Sequence, residues 1–393
     1  MDLLTAYSLL LLVAVLVSSM ASRTVLSTAV LFLAGGVALG RSALDVVPVG
    51  DGEVVGLLAE LALFSVLFTD GMRVGIEELR HRWRLPARAL VLGLPLTLLG
   101  TAVLAHVVVG LPWLQSLLVG AALSPTDPVF AAAIVGREGV PRRLRHLLNV
   151  ESGLNDGLAL PIVLVLIAVA APDQPSAGTA LAQGAAGVAL GVAVPVVALG
   201  IERLRWFSAS SGYEPFLGLA IALVLLAVAR ATGANVFLAA FTGGVTFATI
   251  SPPACAAFEP LGEQAAELLK LAALLVFGTL VSLPFLSDLG AGGYAFALLA
   301  LLVARPLAIA VALWGTPVRG RERVAAAWFG PKGFASVVYG LLILDAGVPG
   351  GDEVFHLVGL VVTASIVAHS STDVLVARWF DDPRPEPSVD RGA

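Results

Sequence analysis

The chain has 393 residues, of which 58% are apolar and 13% charged, and its mean hydropathy is +0.94. Soluble domains are about half apolar and about a quarter charged, so this composition predicts an integral membrane protein and excludes a water-soluble enzyme. The single Cys255 excludes a disulfide framework and a Cys-rich metal site, and the five histidines are too scattered to suggest a zinc centre. We expect no enzymatic activity, no cofactor and no nucleic-acid partner.

Apolar windows of about 20 residues, the length that crosses a bilayer as a helix, predict an all-α polytopic protein with about thirteen spans. They cover 3–20, 24–40, 54–72, 86–110, 113–137, 146–171, 177–200, 214–231, 234–250, 264–286, 291–315, 322–346 and 352–378. The first run lacks the basic start of a cleaved signal peptide, so we expect it to be retained. Residues 379–393 are predicted to form a short cytoplasmic tail.

The positions of the basic residues predict the orientation. Loops after odd-numbered spans, together with the tail, hold 18 of the 23 lysines and arginines, whereas loops after even-numbered spans hold two. Short cytoplasmic loops are rich in Lys and Arg. We therefore predict a plasma-membrane protein, of bacterial type, with its N-terminus outside and its C-terminus in the cytoplasm.

Two spans are interrupted by residues that do not suit the middle of a helix. Span 5 contains Ser124-Pro125-Thr126-Asp127-Pro128, and span 12 contains Gly330-Pro331-Lys332-Gly333. Because the spans are seven apart, they cross in opposite directions and predict inverted six-span repeats, residues 1–171 and 214–378, with 177–200 as a linker. Paired interruptions indicate a transport site, since unwound backbone at this depth must be buried or line a cavity.

Four ionisable residues are predicted at the same depth in different spans. Asp127, Asp156, Arg305 and Lys332 lie about 15 Å from the cytoplasmic end of their spans at a rise of ~1.5 Å per residue. An isolated charge there costs roughly 2.5–3.5 kcal/mol, so we expect them to meet. Asp127 is expected to compensate the helix N-termini exposed by the breaks, and Lys332 the C-termini.

Span 6 begins with a polar stripe of Glu151, Ser152, Asn155 and Asp156, which share one helical face at 100° per residue. The stripe predicts a half-channel from the cytoplasm that ends at Asp156. Oxygen ligands suit a hard monovalent cation, and a dense carboxylate cage for calcium is missing from the pattern. An N-terminal turn with capping carboxylates is the alternative; it explains Glu151 better than Asp156.

Three other groups of polar residues receive less weight. Glu60 in span 3 is an accessory ligand or, as we favour, a protonated and hydrogen-bonded helix residue. Lys270 is expected to reach the membrane interface with its charged end. His106 and His369 are expected to form hydrogen bonds near the ends of their spans.

These motifs together resemble the NhaP branch of the monovalent cation:proton antiporters over nearly the whole chain. The matching residues are Thr126-Asp127-Pro128, Glu151-Ser152-x-x-Asn155-Asp156, Arg305-Pro306 and the Gly-x-Lys-Gly around Lys332. The resemblance implies a homodimer with a rigid dimer domain, a mobile six-helix core with two crossed broken helices, and elevator-like transport. It also implies that Asp156 binds the cation or proton with Ser152, Asn155 and Thr126 assisting, and that Glu151 pairs with Arg305.

The resulting hypothesis is exchange of Na⁺ or Li⁺ for H⁺ through competition for one aspartate. Three acidic and two basic groups in the buried layer predict that the exchange is electroneutral. A K⁺/H⁺ antiporter is the alternative, since ligand types alone do not separate the two cations, and a cation channel is a third possibility. Lys332 stands where the family usually has arginine, which leaves the pH dependence open.

Overall fold

The computed structural model describes residues 2–21, 28–40, 44, 46, 52–73, 83–127, 139–171, 176–204, 206, 210, 212–280, 287 and 289–380. Over these ranges the regular structure is helical, with no strand. The helices are α1 Leu3–Ala21, α2 Thr28–Leu39, α3 Gly52–Arg73, α4 Arg84–Val109, α5 Trp113–Ala122, α6 Arg142–Ala170, α7 Ala177–Glu202, α8 Glu214–Thr232, α9 Val236–Ile250, α10 Pro252–Leu280, α11 Gly290–Ala312, α12 Arg321–Trp328, α13 Phe334–Asp345 and α14 Gly351–Arg378.

The helices bear out the membrane class predicted from composition. Among the described residues, seven helices are long and apolar enough to cross a membrane, and several shorter ones are apolar. Each predicted span has at least part of a helix within its range, so the all-helical class is confirmed, while the total of thirteen stays a prediction. In span 5, α5 ends at Ala122 and residues 123–127 leave the helical path. Residues 128–137 of that span lie outside the described ranges.

The helix of span 10 begins before the predicted span. The sequence placed the start of the span at residue 264, and α10 begins at Pro252, twelve residues earlier, while the point of entry into the membrane stays a prediction. Glu259, Glu263 and Glu267 of this helix carry charges that end an apolar window without ending a helix. Arg73 of α3 donates to Glu263 at 2.8 Å, so this charged segment packs against the membrane helices instead of forming a loop.

The helices form two bundles that each pack mainly among their own members. The first bundle comprises α1–α3 and α7–α10, and the second comprises α4–α6 and α11–α14. Small residues allow the closest approaches in the first bundle: a Cβ at Gly36 of α2 would overlap the backbone of α10 near Gly278. Such contacts are typical of helix packing in lipid, where small residues let backbones approach.

The seam between the bundles positions the candidate site. There α6 and α13 of the second bundle pack against α3, α9 and α10 of the first, with α7 also touching α6. Both α6, which carries Asp156, and α13, which follows the break around Lys332, therefore face the first bundle. Asp127 and Asp156, both singled out from the sequence, line a cavity at this seam.

Candidate functional site

The two interrupted segments meet at their breaks. The main-chain N–H of Asp127 donates to the carbonyl of Pro331 at 2.9 Å. The Lys332 ammonium donates to the carbonyl oxygens of Pro125 at 3.2 Å and Ser124 at 3.4 Å. These carbonyls follow the C-terminus of α5, where helix carbonyls lack intrahelical partners and carry partial negative charge. The lysine of one break thus stabilises the end of the other helix.

Asp127 has the reciprocal position. Its Oδ2 accepts the main-chain N–H of Phe334 at 3.3 Å, and Phe334 is the first residue of α13. Carboxylates are favourable at helix N-termini, which carry partial positive charge. The two charged residues that the sequence assigned to compensate the breaks, Asp127 and Lys332, each bond to main-chain groups of the opposite break.

Two glycines of the second break make room for charged side chains. A Cβ added at Gly330 would overlap the guanidinium of Arg305, and one at Gly333 would overlap Asp127. Glycine is the residue that permits such close approach of a side chain to the backbone. The Gly-x-x-Gly spacing is therefore explained by the two charged groups packed against it.

Arg305 joins α11 to α6 and to the second break. Its Nη1 donates to Glu151 Oε1 at 2.9 Å and its Nη2 to the carbonyl of Phe329 at 3.1 Å. Arg305 and Glu151 are each only 4% exposed. A π-helical turn, Ala300–Ala304, immediately precedes Arg305. The structure thus brings together the pair that the family resemblance implied.

Three polar side chains tie α6 to the first break. Asn155 Nδ2 donates to Thr126 Oγ1 at 2.6 Å, and the hydroxyls of Thr126 and Ser152 lie 3.1 Å apart. All three are buried. Asn155 Oδ1 and Asp156 Oδ1 are also buried, and neither finds a hydrogen-bond donor within the described part of the chain. Two oxygen acceptors on consecutive residues of α6 are therefore available to bind a ligand.

Asp156 lies on the wall of a cavity of about 70 Å³ at the seam. Three carboxylates and one ammonium reach this wall from both bundles: Asp127, Asp156, Asp70 and Lys270. The volume is enough for a few water molecules. Arg73, Glu263 and Glu267 also line it and are 37–43% exposed, so the cavity runs from accessible charges to the buried Asp156.

The polar stripe on α6 is not the wall of a half-channel. Of its four members, Asp156 lines the cavity, whereas Glu151 binds Arg305. Ser152 and Asn155 form hydrogen bonds with the Thr126 hydroxyl. Helical periodicity placed the residues on one face but did not show that protein would cover most of it. The path to Asp156 is instead lined largely by α3 and α10 of the other bundle.

Two lone charges have partners that the sequence did not predict. Arg230 donates to both carboxylate oxygens of Glu60 at 2.8 and 2.9 Å, and the role of Glu60 as an accessory ligand stays a prediction. The prediction for Lys270 is wrong, because Lys270 is 6% exposed and lines the cavity instead of reaching the interface. Its Nζ lies 2.7 Å from Glu267 Oε2.

Sequence reasoning also missed two residues next to Asp156. Asp70, which is 5% exposed, was passed over as part of the end of span 3. Tyr339 is fully buried and donates its hydroxyl to the Asp156 carbonyl at 2.7 Å. A signal for the cavity was available: Glu263, Glu267 and Lys270 follow one another at four and three residues, the spacing of a single helical face.

The two histidines form hydrogen bonds, as predicted. His106 Nδ1 contacts the carbonyl of Leu111 at 2.7 Å, near the end of α4. His369 Nε2 contacts the carbonyl of Trp328 at 3.0 Å, and its Nδ1 lies 3.1 Å from Ser365 Oγ. Ser365 Oγ in turn accepts the main-chain N–H of Lys332 at 2.7 Å, so this chain of contacts supports the second break.

Comparisons with known proteins agree on family and fold. The family described as "Sodium/hydrogen exchanger, transmembrane" matches residues 8–378. The K(+)/H(+) antiporter NhaP of Alkalimonas amylolytica is 28% identical over 377 residues, which cover 94% of this chain and 64% of that protein. The K(+)/H(+) antiporter NhaP2 of Shewanella oneidensis is 28% identical over 381 residues, which cover 94% and 66%. The chain thus spans slightly less than two thirds of these relatives.

A solved structure shares the fold. The sodium proton antiporter MjNhaP1 from Methanocaldococcus jannaschii superimposes with a TM-score of 0.78 at 18% identity, covering 96% of this chain and 99% of that one. At this identity the similarity concerns the fold alone. The resemblance to the NhaP antiporters is confirmed by the family, the relatives and this structure together.

The buried Glu151–Arg305 pair leads to a test of stability. Removing one member of a buried pair leaves an uncompensated charge and costs ~3–5 kcal/mol, whereas removing both is milder. We expect Arg305→Ala to lower the melting temperature in detergent strongly, and Arg305→Ala with Glu151→Gln to recover part of the loss. Thermal unfolding of the purified variants measures both effects.

The control for this test is the Arg230–Glu60 ion pair, which has two bonds between its side chains but lies at 45% and 26% side-chain exposure. Exposed pairs contribute about 0–1 kcal/mol, so Arg230→Ala should shift the melting temperature much less. Strictly additive losses in the Arg305/Glu151 double variant would contradict an energetic coupling between the two side chains.

Proposed function

The chain belongs to the transmembrane sodium/hydrogen exchanger family, and we propose that it exchanges a monovalent cation for a proton across a membrane. The observation that carries this proposal is Asp156, a buried carboxylate with an unpartnered oxygen among the described residues, at the inner end of a charged cavity. A buried carboxylate in contact with a water-sized space can bind either a proton or a cation.

The proposed cation ligands are oxygens on α6 and the first break. Asp156 provides the charge, Asn155 an amide oxygen without a donor in the described chain, and Ser152 and Thr126 hydroxyls nearby. Such hard oxygen donors suit a monovalent alkali cation. Glu151 and Arg305 are proposed to hold α6 in place, and Asp127 and Lys332 to stabilise the breaks.

Alternating access is supported by two cavities at opposite ends of the seam. The first reaches Asp156, and the second, of about 460 Å³, lies at the other end of α3 and α13. The second is lined by residues between Val55 and Glu60 and between Val338 and Asp345, and not by Asp156. On α3, the fully buried Ala62 and Leu63 lie between the two. These positions support the proposal that the site is accessible from one side in this conformation.

We propose that the second bundle moves past the first. The division into bundles supports this proposal, because each predicted repeat contributes its first three spans to the first bundle and its last three to the second. The second bundle holds both breaks and Asp156, and would carry the ion. Sliding of this bundle would move Asp156 from one cavity to the other, which is an elevator-like mechanism.

Three further properties remain proposals. The polar cavity opens at the arginine-rich end of the helices, so by the positive-inside rule it faces the cytoplasm, with the N-terminus outside. The family resemblance implies a homodimer formed by the first bundle. The transported cation is Na⁺ or Li⁺, with K⁺ as the alternative: the two named relatives are described as K(+)/H(+) antiporters and the solved structure as a sodium proton antiporter.

The direct test of the function uses proteoliposomes with a preset pH gradient. Addition of Na⁺, Li⁺ or K⁺ in separate experiments should dissipate the gradient if that ion is exchanged for protons. The ion with the largest response identifies the substrate. Absence of a response to all three would contradict the proposed function, and a continuous current in a planar bilayer would favour a channel.

Asp156→Asn should abolish this response. The substitution is nearly isosteric but removes the charge and the proton-binding group, so exchange should fall to the level of protein-free liposomes. Asn155→Ala removes only a dipole, and we expect about a tenfold rise in the cation concentration for half-maximal exchange. Melting temperature and elution volume control for folding. Substantial cation-driven proton flux in folded Asp156→Asn would exclude Asp156 as the site.

The buried charges of the second bundle support electroneutral exchange. With Asp156 ionised, the bundle has three buried carboxylates, those of Asp127, Glu151 and Asp156. They are balanced by two buried cations, Arg305 and Lys332. Glu322 is also buried, but Arg143 neutralises it through bonds of 2.5 and 2.8 Å. Counted over the described buried side chains, and with Lys332 protonated, this bundle carries one net negative charge at its centre, and one cation or one proton at Asp156 removes it. Both loaded forms can cross the low-dielectric layer, whereas the empty form is disfavoured.

A membrane potential should therefore not drive the exchange by itself. In liposomes with a potassium gradient and valinomycin, and with Na⁺ or Li⁺ as the transported ion, we expect no sustained cation uptake in response to the potential. The pH gradient should drive uptake in the same vesicles. Uptake driven by the potential alone would mean that the charge moved per cycle differs from the count given above.

A further inference from the structure

Lys270 is a buried cation that has no role in the proposed ion site. It lies on α10 in the first bundle and is 6% exposed. It lines the same small cavity as Asp127 and Asp156, which belong to the second bundle. Lys270 is thus a positive charge on one bundle that faces two negative charges on the other across the seam.

The orientation of Lys270 is the reverse of that expected for a lysine near a membrane surface. Such a lysine normally buries its carbon chain and extends its ammonium towards water. Here its partner Glu267, 2.7 Å away, has a side chain 38% exposed, whereas the Lys270 side chain is 7% exposed. The carboxylate faces the mouth of the cavity, and the ammonium lies inside it.

The strength of this attraction depends on what Asp156 binds. When Asp156 is empty and ionised, Lys270 attracts it through a cavity whose walls have a low dielectric constant. When a proton or a monovalent cation neutralises Asp156, most of that attraction is lost. Asp127 accepts the main-chain N–H of Phe334 at the N-terminus of α13, which stabilises a carboxylate there, and it is not the proposed ion-binding group. The contribution of Asp156 is therefore the part that changes during a transport cycle.

We propose that Lys270 is a coupling residue, which holds the second bundle in this conformation while Asp156 is empty and releases it when Asp156 is loaded. This inference rests on the proposed exchange function and on movement of one bundle past the other. Its consequence is that the empty protein does not cross. Without that restraint, a bundle could carry a cation in one direction and return empty, which is uniport instead of exchange.

The other charged groups that line the cavity do not supply the same restraint. Asp70 has the wrong sign to attract Asp156. Arg73 has two carboxylate partners, Glu263 at 2.8 Å and Asp70 at 3.4 Å, and its side chain is 37% exposed, so water screens its charge more than that of Lys270, whose side chain is 7% exposed. Glu263 and Glu267 are acidic. Among the described residues that line this cavity, Lys270 is therefore the only basic residue of the first bundle that is buried.

The test is the number of protons moved per cation. Purified wild type, Lys270→Met and Lys270→Arg are reconstituted in liposomes, and radioactive sodium uptake is recorded together with internal pH. If Na⁺ is not the transported ion, lithium or rubidium takes its place. For Lys270→Met we expect cation flux without counter-moving protons to rise about tenfold or more over wild type, because a nearby opposite charge has been removed. Lys270→Arg keeps the charge and should stay close to wild type.

A membrane potential provides a second measurement. Cation uniport moves one net charge, so a valinomycin-generated potential should drive Na⁺ or Li⁺ uptake in Lys270→Met but not in wild type. Glu267→Gln removes the partner at the mouth and leaves the cross-seam charge, so its proton-to-cation ratio should equal that of wild type. A merely structural Lys270–Glu267 pair would instead give both variants the same phenotype.

The outcomes separate the two proposals. If wild type exchanges cations for protons and folded Lys270→Met keeps the same proton-to-cation ratio, Lys270 is not a coupling residue. If Lys270→Met does not insert, Lys270→Gln retains a polar end and answers the same question. If wild type exchanges none of the three cations, the proposed function is overturned, and the role of Lys270 with it.

Discussion

The two breaks stabilise each other through the charged side chains of Lys332 and Asp127, and the rest of the structure depends on this interaction. An interrupted helix inside a membrane exposes main-chain groups that lipid cannot satisfy. Here Lys332 donates to carbonyls that follow α5, and Asp127 accepts from the first N–H of α13. Neither break is stabilised by its own charge, so each needs the other. The two segments therefore meet at one point, and α6, α11 and α14 each bond to one of the breaks there.

This arrangement leaves Asp156 as the exception among the buried charges of the second bundle. Asp127 and Lys332 are bound to helix ends, Glu151 to Arg305, and Glu322 to Arg143. By contrast, Asp156 Oδ1 has no donor within the described residues. Its main-chain carbonyl is held by Tyr339, so its position is set through the backbone while its carboxylate remains available. A site that binds a proton or a cation in turn requires this combination of a rigid position and an unsatisfied charge.

Patterns within single segments could be predicted from the sequence. Hydropathy located the helices, and the two Pro-containing interruptions located both breaks. Helical geometry predicts a common depth for Asp127, Asp156, Arg305 and Lys332 because the rise per residue is nearly constant. The structure brings Asp127 and Asp156 to one cavity, and the common depth stays a prediction.

Contacts between segments could not be predicted in this way. Arg230 and Glu60 are 170 residues apart, and nothing in either neighbourhood identifies the partner. Asp70 and Lys270 were underrated for the same reason. A charge near the end of a span is unremarkable by itself, and its importance depends on the facing helix. The polar face of α6 was found correctly, yet its use was misjudged because Arg305 and Thr126 cover most of it.

The contrast between Lys332 and Arg305 shows which basic residue each position requires. Lys332 binds two main-chain carbonyls of consecutive residues, Ser124 and Pro125, a task that the tetrahedral donors of an ammonium can perform. Arg305 binds a carboxylate and a separate carbonyl through two different nitrogens, which requires the planar fork of a guanidinium. Lysine in place of the family's usual arginine is therefore compatible with the second break. The same replacement at position 305 would separate α6 from that break, because one ammonium cannot reproduce both bonds in the same geometry.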